Sequence, residues 1–224
     1  NGDNVVNRSA QAPWYQGPTL LALLEDAPVT GFNHAFEARL PVQYVSRPNL
    51  DFRGFAGTVA SGSFKVGDAV VALPSGKGSV VKSIVTFDGE LPEAYAGQAV
   101  TLTLTDEIDI SRGDVIVPAQ HHASVSNRIL AKVVWMHEDP LTIGKQYNIK
   151  LGTKKVPGTV TAIAHSIDVN TLAEDAATEL NLNSIALVEL ELTEAVVFDP
   201  YSKNRDTGGF IFIDRLSNIT VGAG

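Results

Sequence analysis

Cysteine is absent from all 224 residues of this chain, which excludes disulfides, thiolate metal sites and cysteine nucleophiles together. No apolar run approaches the roughly 20 residues needed to cross a bilayer, so no membrane-spanning helix is expected. The opening Asn1-Gly2-Asp3-Asn4 has no basic region leading into an apolar stretch, and no secretory signal is expected there. Positive charge is scarce: 17 Lys and Arg stand against 25 Asp and Glu, for a net charge of −8. That balance opposes broad binding to a phosphate backbone, which depends on clustered cations. Neither a membrane nor a nucleic acid is therefore an expected partner, and a cytoplasmic location fits the lack of cysteine. What is present is 44% hydrophobic and 19% charged residues, the composition of a globular protein long enough to bury two cores.

The first 35 residues do not read as a domain. Asn4–Ser9 is polar, and Gly17-Pro18-Thr19 precedes Leu20, Leu21, Leu23 and Leu24. This predicts a helix over Pro18–Asp26, with Pro18 in the first turn and an apolar face, ending before Pro28. Such a helix is too short to persist alone. Residues 1–27 are expected to be the last helix of a domain absent from this sequence, and Pro28–Ala35 a linker.

From Phe36 onward, short β-rich runs alternate with turn residues. Phe36–Ser46, Phe55–Ala60, Ala69–Leu73, Ser79–Phe87, Ala99–Leu104 and Asp114–Val117 are predicted strands. Between them lie Ser61-Gly62, Gly67-Asp68, Pro74-Ser75-Gly76, Asp88-Gly89 and Ala96-Gly97, each a plausible turn. Pro118–Ala123 interrupts the pattern. A second set follows: Asn127–Met136, Gln146–Leu151, Val156–Asp168, Ser184–Leu192 and Gly209–Leu216. Val188, Leu190 and Leu192 alternate with Glu189 and Glu191, the period of a strand with one wet face. Asn170–Asn183 is ambiguous and is read as a helical turn. The expectation is all-β, with two closed barrels over 36–118 and 123–224.

No catalytic constellation emerges, and no catalytic, cofactor-binding or metal-binding residue is assigned. Gly76-Lys77 and Gly144-Lys145 lack the glycine spacing of a phosphate-cradling loop, and no N-K-x-D guanine-reading sequence occurs. Asp51-Phe52-Arg53-Gly54 fits the loose D-x-x-G pattern only by composition. Asp206-Thr207-Gly208 mimics an aspartic-protease triplet but has no second carboxylate partner of that kind. Arg112-Gly113-Asp114 reads as a turn. Adjacent His121 and His122 would face opposite ways on an extended chain; His34, His137 and His165 complete the imidazoles and suit surface or linker positions. No serine sits in a G-x-S-x-G elbow. Trp14 and Trp135 are expected to be packing anchors.

Gly57-Thr58-Val59-Ala60-Ser61-Gly62-Ser63-Phe64-Lys65-Val66-Gly67-Asp68, with Ala96-Gly97-Gln98-Ala99-Val100 and Ile110-Ser111-Arg112-Gly113-Asp114, resembles the second domain of translation-factor GTPases. Other segments narrow this. Pro13-Trp14-Tyr15-Gln16-Gly17-Pro18-Thr19, Arg47-Pro48-Asn49-Leu50-Asp51-Phe52-Arg53-Gly54, Ile84-Val85-Thr86-Phe87-Asp88-Gly89, Phe198-Asp199-Pro200-Tyr201 and Asn204-Arg205-Asp206-Thr207-Gly208-Gly209 resemble the large, GTP-binding subunits of bacterial sulfate adenylyltransferases. The resemblance implies translation-factor domain II and domain III barrels following a GTPase domain. It implies an enzyme complex that makes adenosine 5′-phosphosulfate from ATP and sulfate, driven by GTP hydrolysis, with GTP and Mg²⁺ held in the intact subunit and none here. Its implied partners are a small catalytic subunit and the absent GTPase domain. On this reading the barrels dock and couple, with Arg47, Asn49, Asp51, Arg53, Arg205 and Asp206 as contact residues. The alternative is a pair of elongation-factor-like barrels that bind RNA, which the acidic balance opposes.

Overall fold

The computed structural model of the chain describes residues 2–27, 36–49, 51–120 and 123–224. The expected linker Pro28–Ala35 and His34, His121 and His122 lie outside the described residues. The chain divides into two compact units, one up to residue 32 and one from residue 33.

The first unit carries α1 (Leu20–Glu25), whose N-cap is Thr19 in extended conformation. The Thr19 hydroxyl accepts a hydrogen bond from the Ala22 N–H at 3.2 Å. The helix thus starts after Pro18 rather than at it, because a threonine oxygen can satisfy an orphan N–H of the first turn. No residue of α1 is buried, and Leu20, Leu21, Leu23 and Leu24 are 41% to 63% exposed. Trp14 is not the packing anchor expected from its type: it is 79% exposed and meets Tyr15 edge-on at 6.2 Å. So few residues cannot enclose an indole.

The second unit contains two barrels. The first is built from β1 (Leu40–Pro41), β2 (Tyr44–Ser46), β3 (Gly54–Thr58), β4 (Ser63–Lys65), β5 (Ala69–Leu73), β6 (Lys77–Thr86), β7 (Gly89–Leu91), β8 (Glu93–Tyr95), β9 (Ala99–Leu104) and β10 (Val115–Pro118). Its strands neighbour one another in the order β1-β10-β5-β6-β9-β3-β2. Closure comes from the chain running through β1 and β2, which serves both ends of that order. Leu40 pairs with Ile116 of β10, and Tyr44 pairs with Ala56 of β3. At the handover, Val42 N–H donates to Asp114 O and Gln43 N–H to Ala56 O, each at 2.8 Å. The run expected as one strand over Phe36–Ser46 is therefore split where it changes partner. Leu40, Phe55, Ile84, Leu102 and Ile116 fill the interior.

The second barrel comprises β11 (Ser124–Trp135), β12 (Leu141–Thr142), β13 (Gln146–Leu151), β14 (Lys154–Ile167), β15 (Glu174–Asp175), β16 (Glu179–Leu180), β17 (Ile185–Phe198), α2 (Arg205–Gly208), β18 (Phe210–Ile213) and β19 (Thr220–Ala223). The order β13-β18-β19-β11-β17-β14, with β14 pairing back to β13, makes a closed six-strand ring. Closure leaves few edges for unwanted pairing. Val188, Leu190 and Leu192 point inward and Glu189 and Glu191 outward, as their alternation predicts. Trp135, Tyr147 and Phe212 pack edge-to-face with centroids 5.4 to 6.0 Å apart. The Trp135 indole N–H reaches Asp139 O at 2.8 Å, so this tryptophan is the expected anchor. Within residues 170–183 helical turn geometry is confined to the start, where the Leu172 N–H bonds Asp168 O at 2.8 Å; beyond it the chain carries β15 and β16, with Leu180 at 1% exposure beside Leu141.

The second barrel packs on the outer face of β5 and β10. Val70, Ala72 and Ile116 face the first barrel's interior, whereas Val71, Leu73, Val115 and Val117 turn the other way, onto Ala123 and Val197 of the second barrel. Burial on both faces explains why these strands read as continuous apolar runs rather than alternating ones.

Candidate functional site

Two groups of polar residues emerge from this architecture. The first lies at the end of the first barrel where the β2–β3 loop meets β6, β7 and the chain beyond β9. Asn49 accepts the Asp51 N–H at 3.0 Å, a local turn bond. Arg53 reaches Asp109 at 3.3 Å and lies 5.8 Å from the Phe55 ring centroid. Asp51, Arg53, Lys82, Glu90, Thr103 and Asp106 line a polar cavity of about 330 Å³. Arg47 is exposed on the same loop. The second group surrounds α2. Arg205 and Asp206 are exposed there, with Arg205 5.9 Å from the Tyr201 ring and Asp206 N–H bonded to the Asn204 side chain at 3.1 Å. The sequence-predicted residues therefore form two sets on different barrels. Asp51 and Arg53 share the first cavity; Arg205 and Asp206 do not line it.

Beside α2 lies a buried polar contact that sequence reasoning did not single out. Arg39, just before β1, is 4% exposed and grips Asp199, just after β17, through two bonds of 3.0 Å. Such a bidentate pair fixes orientation as well as adding charge-assisted bonds. The Arg39 Nη1 also donates to Ala38 O at 2.9 Å, and the Thr207 hydroxyl donates to Asp199 at 2.7 Å. Asn204 donates to the Ser61 hydroxyl at 2.9 Å, and Ser61 donates to Glu37 O at 2.6 Å. Here α2 is what matters: Asn204 caps it, its one turn delivers Thr207, and both side chains reach the seam between barrels. Asp206-Thr207-Gly208 is thus an element of packing. A signal was available in Phe198-Asp199-Pro200-Tyr201, but its partner lies 160 residues away.

Among the described residues, no group of three or more His, Cys, Asp and Glu could hold a metal ion, and no helix is long and apolar enough to cross a membrane. Neither Gly-Lys pair fits a nucleotide phosphate. Gly76-Lys77 turns β5 into β6 and Gly144-Lys145 turns β12 into β13, so neither leads into the helix N-terminus that a phosphate loop requires. His137 and His165 are half-buried beside Asp139 and Glu174.

Residues 56–117 match the family model for elongation factor Tu domain 2, and residues 128–224 match that for the GTP-eEF1A C-terminal domain-like family. Each match falls within one of the two barrels. Along its whole length the chain is also 58% identical to sulfate adenylyltransferase subunit 1 of Photobacterium profundum and 61% identical to that of Shewanella oneidensis. These alignments cover 100% of this chain and 47% of each relative. The chain spans about half the length of the curated relatives it matches. Among solved structures, sup35 complexed with GDP has a TM-score of 0.79 at 20% identity, covering 99% of this chain and 55% of that one. Its complex with GMPPNP gives 0.77 at 20% identity. At that identity the likeness speaks to the fold alone.

Proposed function

We propose that these barrels are the docking and coupling half of a sulfate adenylyltransferase GTPase subunit. The end-to-end identity with sulfate adenylyltransferase subunit 1 carries this reading. The remainder of that subunit binds GTP and Mg²⁺, and its partner subunit forms adenosine 5′-phosphosulfate and pyrophosphate from ATP and sulfate. The chain itself neither binds nucleotide nor turns over substrate.

Coupling of this kind needs a body that transmits a switch without deforming. Two closed barrels clamped by Arg39 and Asp199, over a shared apolar seam, suit that task. The exposed leucines of α1 supply the face that meets the rest of the subunit. The cavity bordered by Asp51 and Arg53 is the polar contact through which the first barrel engages a neighbour.

The test uses full-length subunit and its partner. Asp51→Ala with Arg53→Ala weakens their association and reduces GTP-stimulated synthesis of adenosine 5′-phosphosulfate. Unchanged association and unchanged GTP stimulation refute the contact assignment. Tight binding of GTP to the 224-residue chain alone refutes the division of labour.

A further inference from the structure

The wall of the second barrel is closed at one end of β11 and open at the other. β11 pairs with β17 from Arg128 to Val134, but with β19 only at Val134 and Trp135. Successive residues of an antiparallel strand turn their N–H and C=O to opposite sides. Trp135 N–H donates to Ser184 O and Met136 N–H to Val221 O, each at 2.9 Å. Odd-numbered positions here therefore face β17, and even-numbered ones face β19. Leu130 and Lys132 aim their backbone groups past the end of β19, and among the described residues no strand pairs with them there. Arg128 needs none: the Ser126 hydroxyl accepts its N–H at 3.0 Å and donates to its O at 2.8 Å. The open edge is thus short and bounded at both ends. Proteins ordinarily pair or cover such an edge.

β19 separates β11 from β18, so beyond its end these two strands leave a gap one strand wide. An apolar cavity of about 630 Å³ lies there, lined by Ile129, Leu130 and Ala131, by Leu151 and Phe210, and by Gly224. Ile129 and Ala131 pack against the core yet stay only half-buried.

The register names the occupant. Gly224 exchanges both backbone bonds with Phe210, at 2.8 and 2.9 Å, so β19 keeps ladder geometry through Gly224 and runs towards the open edge. With Ala223 opposite Val134, the first residue beyond Gly224 falls opposite Lys132, the second opposite Ala131 and the third opposite Leu130. The first and third bring N–H and C=O groups to Lys132 and Leu130. The second shares the face of Ala131 and turns its side chain into the cavity. A strand from another molecule would have to abut Gly224 and lose its translational freedom, whereas a continuing chain is already held in place. Relatives matched along the whole of this chain are longer, this chain being 47% of each.

We propose that in the whole subunit the three residues following Gly224 extend β19 along β11, and that the second of them fills the cavity with an apolar side chain. The added turns of the ladder close the barrel wall and fix where the following chain leaves it. This device is independent of the coupling role argued above.

The experiment compares amide hydrogen exchange in the full-length subunit and in a form cut after Gly224. The Leu130 and Lys132 N–H groups exchange at least about a hundredfold faster in the cut form, while those of Ala131 and Val133, which face β17, change little. Replacing the second following residue by Asp in the full-length subunit speeds the same two amides, and decides the matter should the cut form not fold. Equal exchange of Leu130 and Lys132 in the Asp variant and wild type overturns the proposal, as does equal exchange in a folded cut form. Protection of these amides that rises with subunit concentration, or that needs the partner subunit, assigns the edge to an outside strand and overturns it too. A whole subunit that ends at Gly224, or whose second following residue is charged, overturns it equally.

Discussion

Removing one side of the Arg39–Asp199 pair tests whether the two barrels act as one body. The side chains are 4% and 13% exposed, so Asp199→Ala strands a guanidinium away from water. Breaking one partner of a buried pair costs about 3–5 kcal/mol. For a body of this size, at about 2–4 °C per kcal/mol, the melting temperature falls by roughly 6–20 °C. Replacing both partners, Arg39→Met with Asp199→Leu, avoids the stranded charge and recovers most of that loss, because apolar isosteres often match a buried pair. The assay is urea denaturation followed by circular dichroism and by Trp135 fluorescence, which reports on the second barrel's core. In wild type the two transitions coincide; in Asp199→Ala they separate as the barrels uncouple. A loss below about 1 kcal/mol, the scale of an exposed pair, refutes the reasoning. A double replacement as damaging as the single one refutes it equally.

Three further outcomes follow from local geometry. Gly62 has φ +64°, and a Cβ there would lie 2.5 Å from Ala38 N and 2.6 Å from Phe36 O. Gly62→Ala is therefore expected to cost at least about 1–3 kcal/mol in a chemical denaturation series. The Tyr147 hydroxyl is buried without a hydrogen-bond partner, and burial pushes its pKa up to about 12. The neutral phenol is favoured in the folded state, so this contribution to stability is complete below pH 10 and is lost as pH rises from 10 through 12. Tyr147→Phe is expected to be neutral or stabilising at pH 7 and to flatten the alkaline fall in urea midpoint relative to wild type. Asp214 accepts bonds from the Ser217 N–H and hydroxyl and from the Leu216 N–H, which hold its carboxyl below the usual range. Its contribution is present above the ordinary carboxylate pKa and lost as pH falls through the lowered one. Asp214→Ala is expected to speed amide exchange at Leu216 and Ser217 at neutral pH, as acid does in wild type.

The sequence by itself determined the local pattern: which runs are strands, which faces are wet and where the chain turns. Glu189 and Glu191 between inward-facing Val188, Leu190 and Leu192 had one reading, and the glycines at 62 and 67 do adopt positive φ. Gln146–Leu151 and Ala69–Leu73 were legible to the residue, because β-branched and apolar density there ends abruptly in Gly, Pro or Asp. Thr19 and Leu180 were not. A cap is selected by competition among neighbouring side chains, and a two-residue strand has too little pattern to declare itself. The exposed contact candidates were named from the sequence, but their distribution over two barrels was not visible in it. Only tertiary structure decided how the rings close, because Leu40–Ser46 changes partner through bonds to residues far along the chain. Only tertiary structure paired Arg39 with Asp199. A charge reads as solvated until a distant strand arrives to bury it, and periodicity carries no record of that meeting.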